Sequence, residues 1–304
     1  MNIFLTGGTG FIGSYVVREF IRNGHQVTIL ARNVNKIRDF MNNPSIKVVQ
    51  GTITDRDVIK RELEGKDACI HLALGRIASA VEAAEQDTLP AIFILETAAK
   101  LGANLITTSS IAAYGNINRP YSEYAPTRPI AFYGATKAAV ESFVFAIAET
   151  YKVRANIISP GLTFGNPICD GAPFNQEARL RNIIQSAKKN EPVRVIKHTG
   201  TQFIWAGDLA KLYNAVLTSD LSRRVFIGMG SEFIMWEDVA KMAIEISESK
   251  SELIVEEKDI NNVTPNMVRN YPIDVSAIEN AFGFKFISRQ KLRDHIKFLL
   301  NYYN

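Results

Sequence analysis

The stretch Thr6-Gly7-Gly8-Thr9-Gly10-Phe11-Ile12-Gly13 decides the fold, because its three spaced glycines follow a short apolar run and open a helical pattern. Such glycines have separate uses: the first allows a tight turn, the second lets the backbone approach a pyrophosphate, and the third lets the helix pack closely on the strand. The free N–H groups and the dipole at the start of the helix attract the anion. This combination of strand, glycine loop and helix predicts dinucleotide binding.

Five further β-branched runs follow, and segments with helical periodicity separate them. The six predicted strands are Asn2 to Thr6, Gln26 to Leu30, Ile46 to Gln50, Ala68 to Leu72, Asn104 to Thr108 and Arg154 to Ser159. Strands that alternate with helices form parallel βαβ units. We therefore expect an α/β fold built on a Rossmann-type, doubly wound parallel sheet.

The pattern changes after residue 160, where glycines and prolines interrupt it between Gly161 and Pro173. The predicted elements beyond this loop are helices at Gln176 to Lys189 and Leu209 to Thr218, a strand at Val225 to Ile227 and a helix at Lys291 to Asn301. They indicate a small C-terminal α/β lobe over the sheet. We expect a dinucleotide-binding domain at 1–160 and a mainly substrate-binding lobe at 161–304, with some segments returning to the core.

The composition excludes several classes of protein. With 304 residues, 46% hydrophobic and 22% charged, the chain is neither disordered nor fibrous. No apolar run approaches the ~18 residues of a membrane span, and no secretory apolar region opens the chain, so we expect a cytoplasmic protein without a membrane partner. Cys69 and Cys169 lack metal-ligand spacing, which predicts reduced thiols and no metal. The net charge of +4 is spread without a basic-aromatic stripe, which predicts no nucleic-acid partner.

The end of the second predicted strand indicates which dinucleotide is bound. An acidic residue there would hydrogen-bond the ribose 2′-OH and repel a 2′-phosphate. The sequence instead reads Leu30-Ala31-Arg32-Asn33, with Lys36 following. Cationic side chains suit a phosphate, so Arg32 and Lys36 favour NADP(H), with NAD(H) left as an alternative. The competing interpretation makes Arg32 a solvated surface residue.

Candidate catalytic residues follow the fifth strand. Ser109 and Ser110 come directly after that strand, and Tyr133 and Lys137 share one face of a predicted helix because they are four residues apart. A free phenol has a pKa near 10, but a nearby ammonium and an oxidised nicotinamide both favour the phenolate. We predict that Tyr133 exchanges a proton with a carbinol or carbonyl oxygen that Ser110 hydrogen-bonds, while hydride moves to or from the nicotinamide.

These motifs resemble the extended short-chain dehydrogenase/reductase superfamily, in particular the NAD(P)-dependent sugar epimerase/dehydratase family. The resemblance spans nearly the whole chain and includes Ile70-His71-Leu72-Ala73, Ser159-Pro160-Gly161-Leu162-Thr163-Phe164-Gly165, Phe203-Ile204-Trp205-Ala206-Gly207-Asp208 and Asp274-Val275-Ser276. It implies that Leu72 to Leu74 lie under the cofactor, Pro160 to Leu162 beside the nicotinamide amide, and Thr52 and Ile53 at the adenine. A homodimer formed by two helices that flank the active-site segment is also implied.

The predicted catalytic residues are Ser110, Tyr133 and Lys137. The predicted cofactor-binding residues are Gly7, Gly10, Phe11, Ile12, Gly13, Arg32, Lys36, Thr52, Ile53, Leu72, Ala73, Leu74, Ser109, Tyr133, Lys137, Pro160 and Leu162. Two other polar residues of the shared segments have structural interpretations. We expect His71 to be a packed histidine at a strand end, and Asp208 to cap the helix that follows it.

Departures from the family pattern narrow the expected chemistry. In sugar dehydratases of this family an Asp-Glu pair follows the catalytic Ser or Thr, whereas Ile111 and Ala112 follow Ser110 here, which disfavours a 4,6-dehydratase. Nucleotide-sugar enzymes commonly carry two diphosphate-binding arginines where this chain has Thr201 and Thr264. Either Arg179, Arg181 or Arg269 substitutes for them, or the substrate is not a nucleotide sugar, and we prefer the second interpretation.

The sequence thus predicts an oxidoreductase that favours NADP(H) and acts on a secondary alcohol or ketone. The substrate would be a small carbonyl or alcohol compound, or a sugar nucleotide. The first alternative is an NAD-dependent nucleotide-sugar epimerase with the same three catalytic residues. The second is a non-catalytic dinucleotide sensor or RNA-binding relative, which the retained Tyr133 and Lys137 disfavour.

Overall fold

The computed structural model describes residues 1–34, 43–115, 122–169, 171–257 and 272–303. The described strands are β1 (Asn2–Thr6), β2 (Gln26–Ala31), β3 (Ile46–Gln50), β4 (Ala68–His71), β5 (Asn104–Thr108), β6 (Ala155–Pro160), β7 (Thr163–Phe164), β8 (Val193–Ile196), β9 (Gly200–Thr201), β10 (Ile204–Trp205), β11 (Arg224–Gly228), β12 (Ile234–Met235) and β13 (Leu253–Glu256).

The described helices are α1 (Phe11–Arg22), α2 (Arg56–Leu63), α3 (Ala80–Ala83), α4 (Leu89–Lys100), α5 (Phe132–Tyr151), α6 (Ala178–Lys188), α7 (Ala206–Thr218), α8 (Trp236–Ile246), α9 (Ser276–Phe282) and α10 (Arg289–Tyr302). A π-helical turn, Ala84–Thr88, joins α3 to α4, and a 3₁₀ turn, Ile111–Tyr114, follows β5. Along the described ranges, no helix is both long enough and apolar enough to cross a membrane.

The central sheet is parallel and has seven strands in the described chain, in the order β11-β6-β5-β4-β1-β2-β3. The order reverses between β1 and β4, which pair in register from Ile3 opposite Ala68 to Thr6 opposite His71. In a doubly wound sheet this reversal opens a crevice at the carboxyl ends of the strands, where ligands bind. The predicted α/β, Rossmann-type sheet is confirmed.

Side chains of the sheet alternate between two apolar layers, as the twofold period of a strand requires. On one face Ile3 and Leu5 pack with α1 and α7, through residues such as Phe20 and Leu212. On the other face Phe4 belongs to a cluster with α4 and α5. The sheet is therefore covered on both sides, and its carboxyl edge is where a ligand can enter.

The six strands predicted from the sequence are all present, within one residue at each end. The predicted strand at Val225 to Ile227 is also present, but as β11 it pairs in parallel with β6 and forms the seventh strand of the central sheet. It is one of the segments that return to the core. This pairing joins residues far apart in the chain, which local periodicity does not reveal.

Helices α6, α8 and α10 form a third apolar cluster with β8, through residues such as Leu180, Val239 and Ile296. The sequence predicted α6 and α10 within two residues at each end, whereas α7 begins at Ala206, three residues before its predicted start. Because α7 packs on α1 in the sheet core, the chain beyond residue 160 contributes to both clusters. The domain boundary at residue 160 stays a prediction.

Candidate active site

The glycine loop between β1 and α1 is closed by contacts that exclude larger residues. Gly7 has a φ of +79°, and a Cβ there would lie 2.6 Å from the Ala73 backbone nitrogen. A Cβ on Gly13 would lie 2.0 Å from the Gly7 carbonyl oxygen. The glycines are therefore steric requirements of the turn.

Helix α1 begins at this loop with its backbone donors available to a ligand. Its N-cap is Gly10, no side chain caps the helix, and its first turn has no acidic residue. The first N–H groups of a helix lack partners within the helix and carry a positive partial charge. The glycine loop and the start of α1 together thus suit an anion such as the pyrophosphate of a dinucleotide.

A cavity of about 390 Å³ opens beside this loop, at the carboxyl ends of β1, β4, β5 and β6. Twelve of the predicted site residues line it: Gly7, Gly10, Phe11, Ile12, Gly13, Leu72, Leu74, Ser109, Ser110, Tyr133, Lys137 and Pro160. Residues from five separate segments of the chain meet here. The predicted catalytic residues and the glycine loop thus face one cavity.

The other predicted cofactor residues do not line this cavity as described. Ala73 and Leu162 are next to lining residues, and Arg32, Thr52 and Ile53 follow the ends of β2 and β3. Arg32 is exposed and has no ion pair with a residue that the structure describes. Lys36 lies outside the described residues. Nucleotide contact by these residues stays a prediction.

Ser110 and Tyr133 are held close together. Ser110 is the N-cap of the 3₁₀ turn, and its hydroxyl accepts a hydrogen bond from the Ala112 N–H at 3.2 Å. The same hydroxyl is near enough to the Tyr133 phenol to lower its pKa. The phenol belongs to the first turn of α5, at the cavity, so both hydroxyls can reach one substrate oxygen.

Lys137 lies one turn further along α5 and is buried. Its Nζ lies 5.8 Å from the centroid of the Tyr133 ring and 3.5 Å from Oδ2 of Asp87. Burial lowers the pKa of the Lys137 ammonium, and the Asp87 carboxylate opposes that effect. The sequence argument missed Asp87, which lies 50 residues earlier in the chain.

The pKa of Tyr133 is raised above its ordinary value of 10.0, because partial shielding from water disfavours the phenolate, although the residue is still 37% exposed. The nearby Ser110 hydroxyl opposes this rise, whereas the Asp87 carboxylate adds to it. The expectation that Lys137 and an oxidised nicotinamide together favour the phenolate stays a prediction, because one of the two charges belongs to the cofactor.

His71 is buried at the end of β4, where its Nδ1 is hydrogen-bonded to the Thr6 hydroxyl at 2.8 Å. Burial, with a smaller contribution from Lys137, lowers the pKa of His71 to about 3. It is therefore neutral near pH 7, as expected for a packed histidine at a strand end.

Asp208 does not cap a helix, contrary to the expectation. Helix α7 begins at Ala206, its N-cap is Trp205, and no side chain caps it. Asp208 lies in the first turn, where it pairs with Lys291 and with Lys211 at 3.3 Å. A carboxylate in the first turn is stabilised by the helix dipole as well as by these cations.

Gly161, inside the predicted range Pro160 to Leu162, also lines the cavity, and the sequence argument missed three further lining residues: Thr108, Thr163 and Asn175. Thr163 lies inside a segment that the resemblance had marked, and Thr108 directly precedes Ser109, so proximity along the chain could have identified both. Asn175 could not be found in this way, because it comes from the irregular loop before α6, where its side chain donates to the Thr163 carbonyl at 2.9 Å. No group of three metal-ligating side chains occurs in the part of the chain that the structure describes.

Comparison with known proteins identifies relatives with this fold. A family model described as the NAD dependent epimerase/dehydratase family matches residues 3–228. UDP-glucuronic acid decarboxylase 6 of Arabidopsis thaliana is 24% identical, over 97% of this chain and 86% of its own length. A dTDP-glucose 4,6-dehydratase of Streptomyces niveus is 25% identical, over 93% of this chain and 88% of its own.

Among solved structures, UDP-glucuronic acid 4-epimerase from Bacillus cereus in complex with NAD superimposes with a TM-score of 0.81. It is 18% identical, and the match covers 100% of both chains. At this identity the likeness establishes the fold.

We predict that Gly7→Ala impairs dinucleotide binding, whereas Gly24→Ala does not. Both positions have a left-handed φ, +79° and +76°, but no atom lies within 4 Å of a Cβ at Gly24. Each alanine should lower the free energy of unfolding by about 1–2 kcal/mol through backbone strain. Only the Gly7 variant adds the clash with the Ala73 backbone beside the cavity. Denaturant unfolding and NADP⁺ or NAD⁺ titration measure the two effects, and equal binding by both variants would contradict the prediction.

Proposed function

The chain belongs to the NAD dependent epimerase/dehydratase family, and on that premise we propose that it transfers hydride between a nicotinamide cofactor and a secondary alcohol or ketone. One observation carries the proposal: Ser110, Tyr133 and Lys137 line the same cavity as the glycine loop. This arrangement supports an enzyme of the extended short-chain dehydrogenase/reductase type. It gives no support to a non-catalytic sensor or an RNA-binding relative.

Tyr133 is the proposed acid and base. Its hydroxyl gives a proton to the substrate oxygen during reduction and takes one during oxidation. Ser110 donates a hydrogen bond to that oxygen and restricts its position. The buried ammonium of Lys137 lies within 6 Å of the phenol ring, where it supports the orientation of the side chain.

The residues present fit a nicotinamide dinucleotide. A Cβ at Gly7 or Gly13 would fill the space inside the glycine loop. The N-terminus of α1, which no side chain caps, suits a pyrophosphate. When bound, the cofactor supplies the hydride acceptor or donor and, in its oxidised form, a positive charge. Leu72, Leu74 and Pro160 supply apolar side chains to the cavity wall.

NADP(H) is the cofactor that we favour, because Arg32 is exposed at the end of β2 and no acidic residue is next to it. Its guanidinium would pair with a 2′-phosphate. NAD(H) is the second candidate, which the NAD complex of the similar Bacillus cereus epimerase supports.

Nucleotide sugars are the first substrate class to assay, because the relatives act on UDP-glucuronic acid and dTDP-glucose. Elimination of water is disfavoured, since Ile111 and Ala112 follow Ser110. A smaller carbonyl compound is the second candidate. Two observations support this second candidate. A buried threonine, Thr201, stands where nucleotide-sugar enzymes commonly carry a diphosphate-binding arginine. Arg179 lines a different cavity, where its guanidinium lies 4.5 Å from the centre of the Trp236 ring.

The expected effect of Tyr133→Phe is a loss of turnover of about 10²-fold or more, because the proton donor and acceptor is removed. Tyr151→Phe is the matched control: its phenol lies at the other end of α5 and donates to Glu96 at 2.8 Å. Absorbance of the reduced nicotinamide follows turnover, with UDP and dTDP sugars assayed first and simple ketones second. Unchanged turnover in Tyr133→Phe would overturn the mechanism.

Arg32→Ala should weaken NADP⁺ binding about tenfold, equivalent to ~1.4 kcal/mol, and leave NAD⁺ binding unchanged. The control Arg22→Ala removes an exposed arginine from the last turn of α1, at the opposite end of that helix. Fluorescence titration of both nucleotides gives the affinities. Tightly copurified NAD in the wild-type protein would instead favour the nucleotide-sugar epimerase.

A homodimer is proposed because the helical layer of α3 to α5 exposes large apolar side chains, including Val81, Leu89 and Phe143. A second copy would cover them. Light scattering should give the mass of two chains for the wild type and of one chain for Phe143→Glu. The control Ile287→Glu changes an exposed apolar residue outside this layer and should remain dimeric. A monomeric wild type would contradict this proposal.

A further inference from the structure

A buried tyrosine contacts one residue of the cavity wall from behind. Tyr213 belongs to α7 and is 0% exposed, and its phenol oxygen lies 2.7 Å from the hydroxyl oxygen of Thr108. Thr108 is the last residue of β5, and it lines the cavity together with Ser110 and Tyr133. A hydrogen bond between two hydroxyls therefore joins the cavity wall to the core of the protein.

Burial determines which of the two hydroxyls is the donor. Among the residues that the structure describes, Thr108 is the hydrogen-bond partner of the Tyr213 phenol. If Thr108 donated, the phenol proton would be buried without an acceptor, which is costly. If Tyr213 donates, the proton of the Thr108 hydroxyl can point into the cavity, where water or a ligand accepts it. We therefore assign Tyr213 as the donor and Thr108 as the acceptor.

The backbone directs the side chains of Thr108 and Ser110 to the same side. Side chains two residues apart in an extended chain project from one face, with about 7 Å between their backbone positions. The sheet continues through Ser109, whose N–H donates to the Ile158 carbonyl at 2.8 Å, and Ser110 is extended, with φ −162° and ψ 151°. The two hydroxyls are therefore neighbours along one wall of the cavity.

The position of Thr108 indicates which part of a dinucleotide it would meet. The glycine loop suits the pyrophosphate, whereas Ser110 and Tyr133 mark the part of the cavity where hydride transfer is proposed. Thr108 shares the wall of Ser110, so it faces the nicotinamide half. A neutral hydroxyl suits a neutral acceptor, such as the oxygen of a ribose hydroxyl or of the carboxamide.

We propose that Thr108 binds an oxygen of the nicotinamide half of the dinucleotide, and that Tyr213 is a positioning residue that fixes the Thr108 hydroxyl as a donor. The inference rests on the dinucleotide binding of the proposed function. Consecutive hydrogen bonds polarise one another, so a hydroxyl that accepts one bond donates the next more strongly. Tyr213 thus orients the Thr108 proton and strengthens the bond to the cofactor.

The surroundings of Tyr213 keep its phenol protonated. Burial raises the pKa of this phenol far above its ordinary value of 10.0, the hydrogen bond with Thr108 opposes the rise, and the Tyr133 phenol adds to it. The protonated form is the one that can donate, so the donor is present at neutral pH. The influence of Tyr133 also agrees with a position close to the proposed acid and base.

Thr108→Val tests the binding role, because valine keeps the shape of threonine and lacks the hydroxyl. We expect it to bind NADP⁺ or NAD⁺ about three- to tenfold more weakly than the wild type does, the range for one neutral hydrogen bond. The affinity for ADP, which lacks the nicotinamide half, should not change. Calorimetric titration with each nucleotide gives the affinities. Thr108→Ser retains the hydroxyl and should bind like the wild type.

Tyr213→Phe tests the positioning role, because it removes the phenol hydroxyl alone. It should weaken dinucleotide binding about two- to fivefold, and it should have no further effect in a chain that already carries Thr108→Val. Coupling of this kind shows that Tyr213 acts through the Thr108 hydroxyl. An equal loss in both backgrounds would indicate a merely structural role for Tyr213 and overturn the positioning role.

The matched control is Thr107→Val, which removes the neighbouring buried hydroxyl of β5. The Thr107 Oγ1 has no hydrogen-bond partner among the residues that the structure describes, and strand alternation directs it to the opposite face of the sheet. This variant should bind both nucleotides like the wild type. If Thr108→Val does not fold, Thr108→Ala provides the same comparison.

Wild-type dinucleotide affinity in Thr108→Val would overturn the inference. If that affinity is unchanged but the KM for a sugar nucleotide or ketone rises, the hydroxyl binds the substrate, and the assignment to the nicotinamide half is wrong. A wild type that binds neither NADP⁺ nor NAD⁺ would overturn the proposed function as well. The titrations need no turnover, so the two failures are distinguishable.

Discussion

The close approach of the glycine loop to the end of β4 is the constraint on which the site depends. Gly7 can turn against the Ala73 backbone, and Gly13 against the Gly7 carbonyl, only because neither has a Cβ. This approach brings α1 onto the point where the strand order reverses. The start of the helix and the ends of four strands then surround one cavity, which is the geometry that α/β sheets use for ligands.

Burial affects the pKa values of the Lys137 and His71 side chains more than the neighbouring charges do. Lys137 and Asp87 are both buried and form an ion pair, with Nζ 3.5 Å from Oδ2. His71 is neutral because burial lowers its pKa to about 3. The resting site therefore holds proton-donating hydroxyl groups beside an apolar wall. A positive charge on a bound cofactor would favour the phenolate form of Tyr133.

Local patterns predicted much of the architecture. Six strands and the helix after the first strand follow from periods of 2.0 and 3.6 residues, which contiguous residues encode. The glycine loop and the Tyr133–Lys137 pair follow from short spacings in the same way. Asp208 shows the limit of such reasoning, because a polar residue near a helix start fits both a cap and a first-turn ion pair. The start of α7 at Ala206 and the ion pair with Lys291, 83 residues later, distinguish the two.

The sequence by itself determined the sheet, the dinucleotide loop and the candidate acid and base, since each depends on residues that are close together in the chain. The tertiary structure decided which distant residues surround them. It brought Asp87 to Lys137, Asn175 to the cavity and β11 to the edge of the sheet. It also placed the Asp87 carboxylate where it raises the pKa of Tyr133, which depends on packing between segments far apart in the sequence.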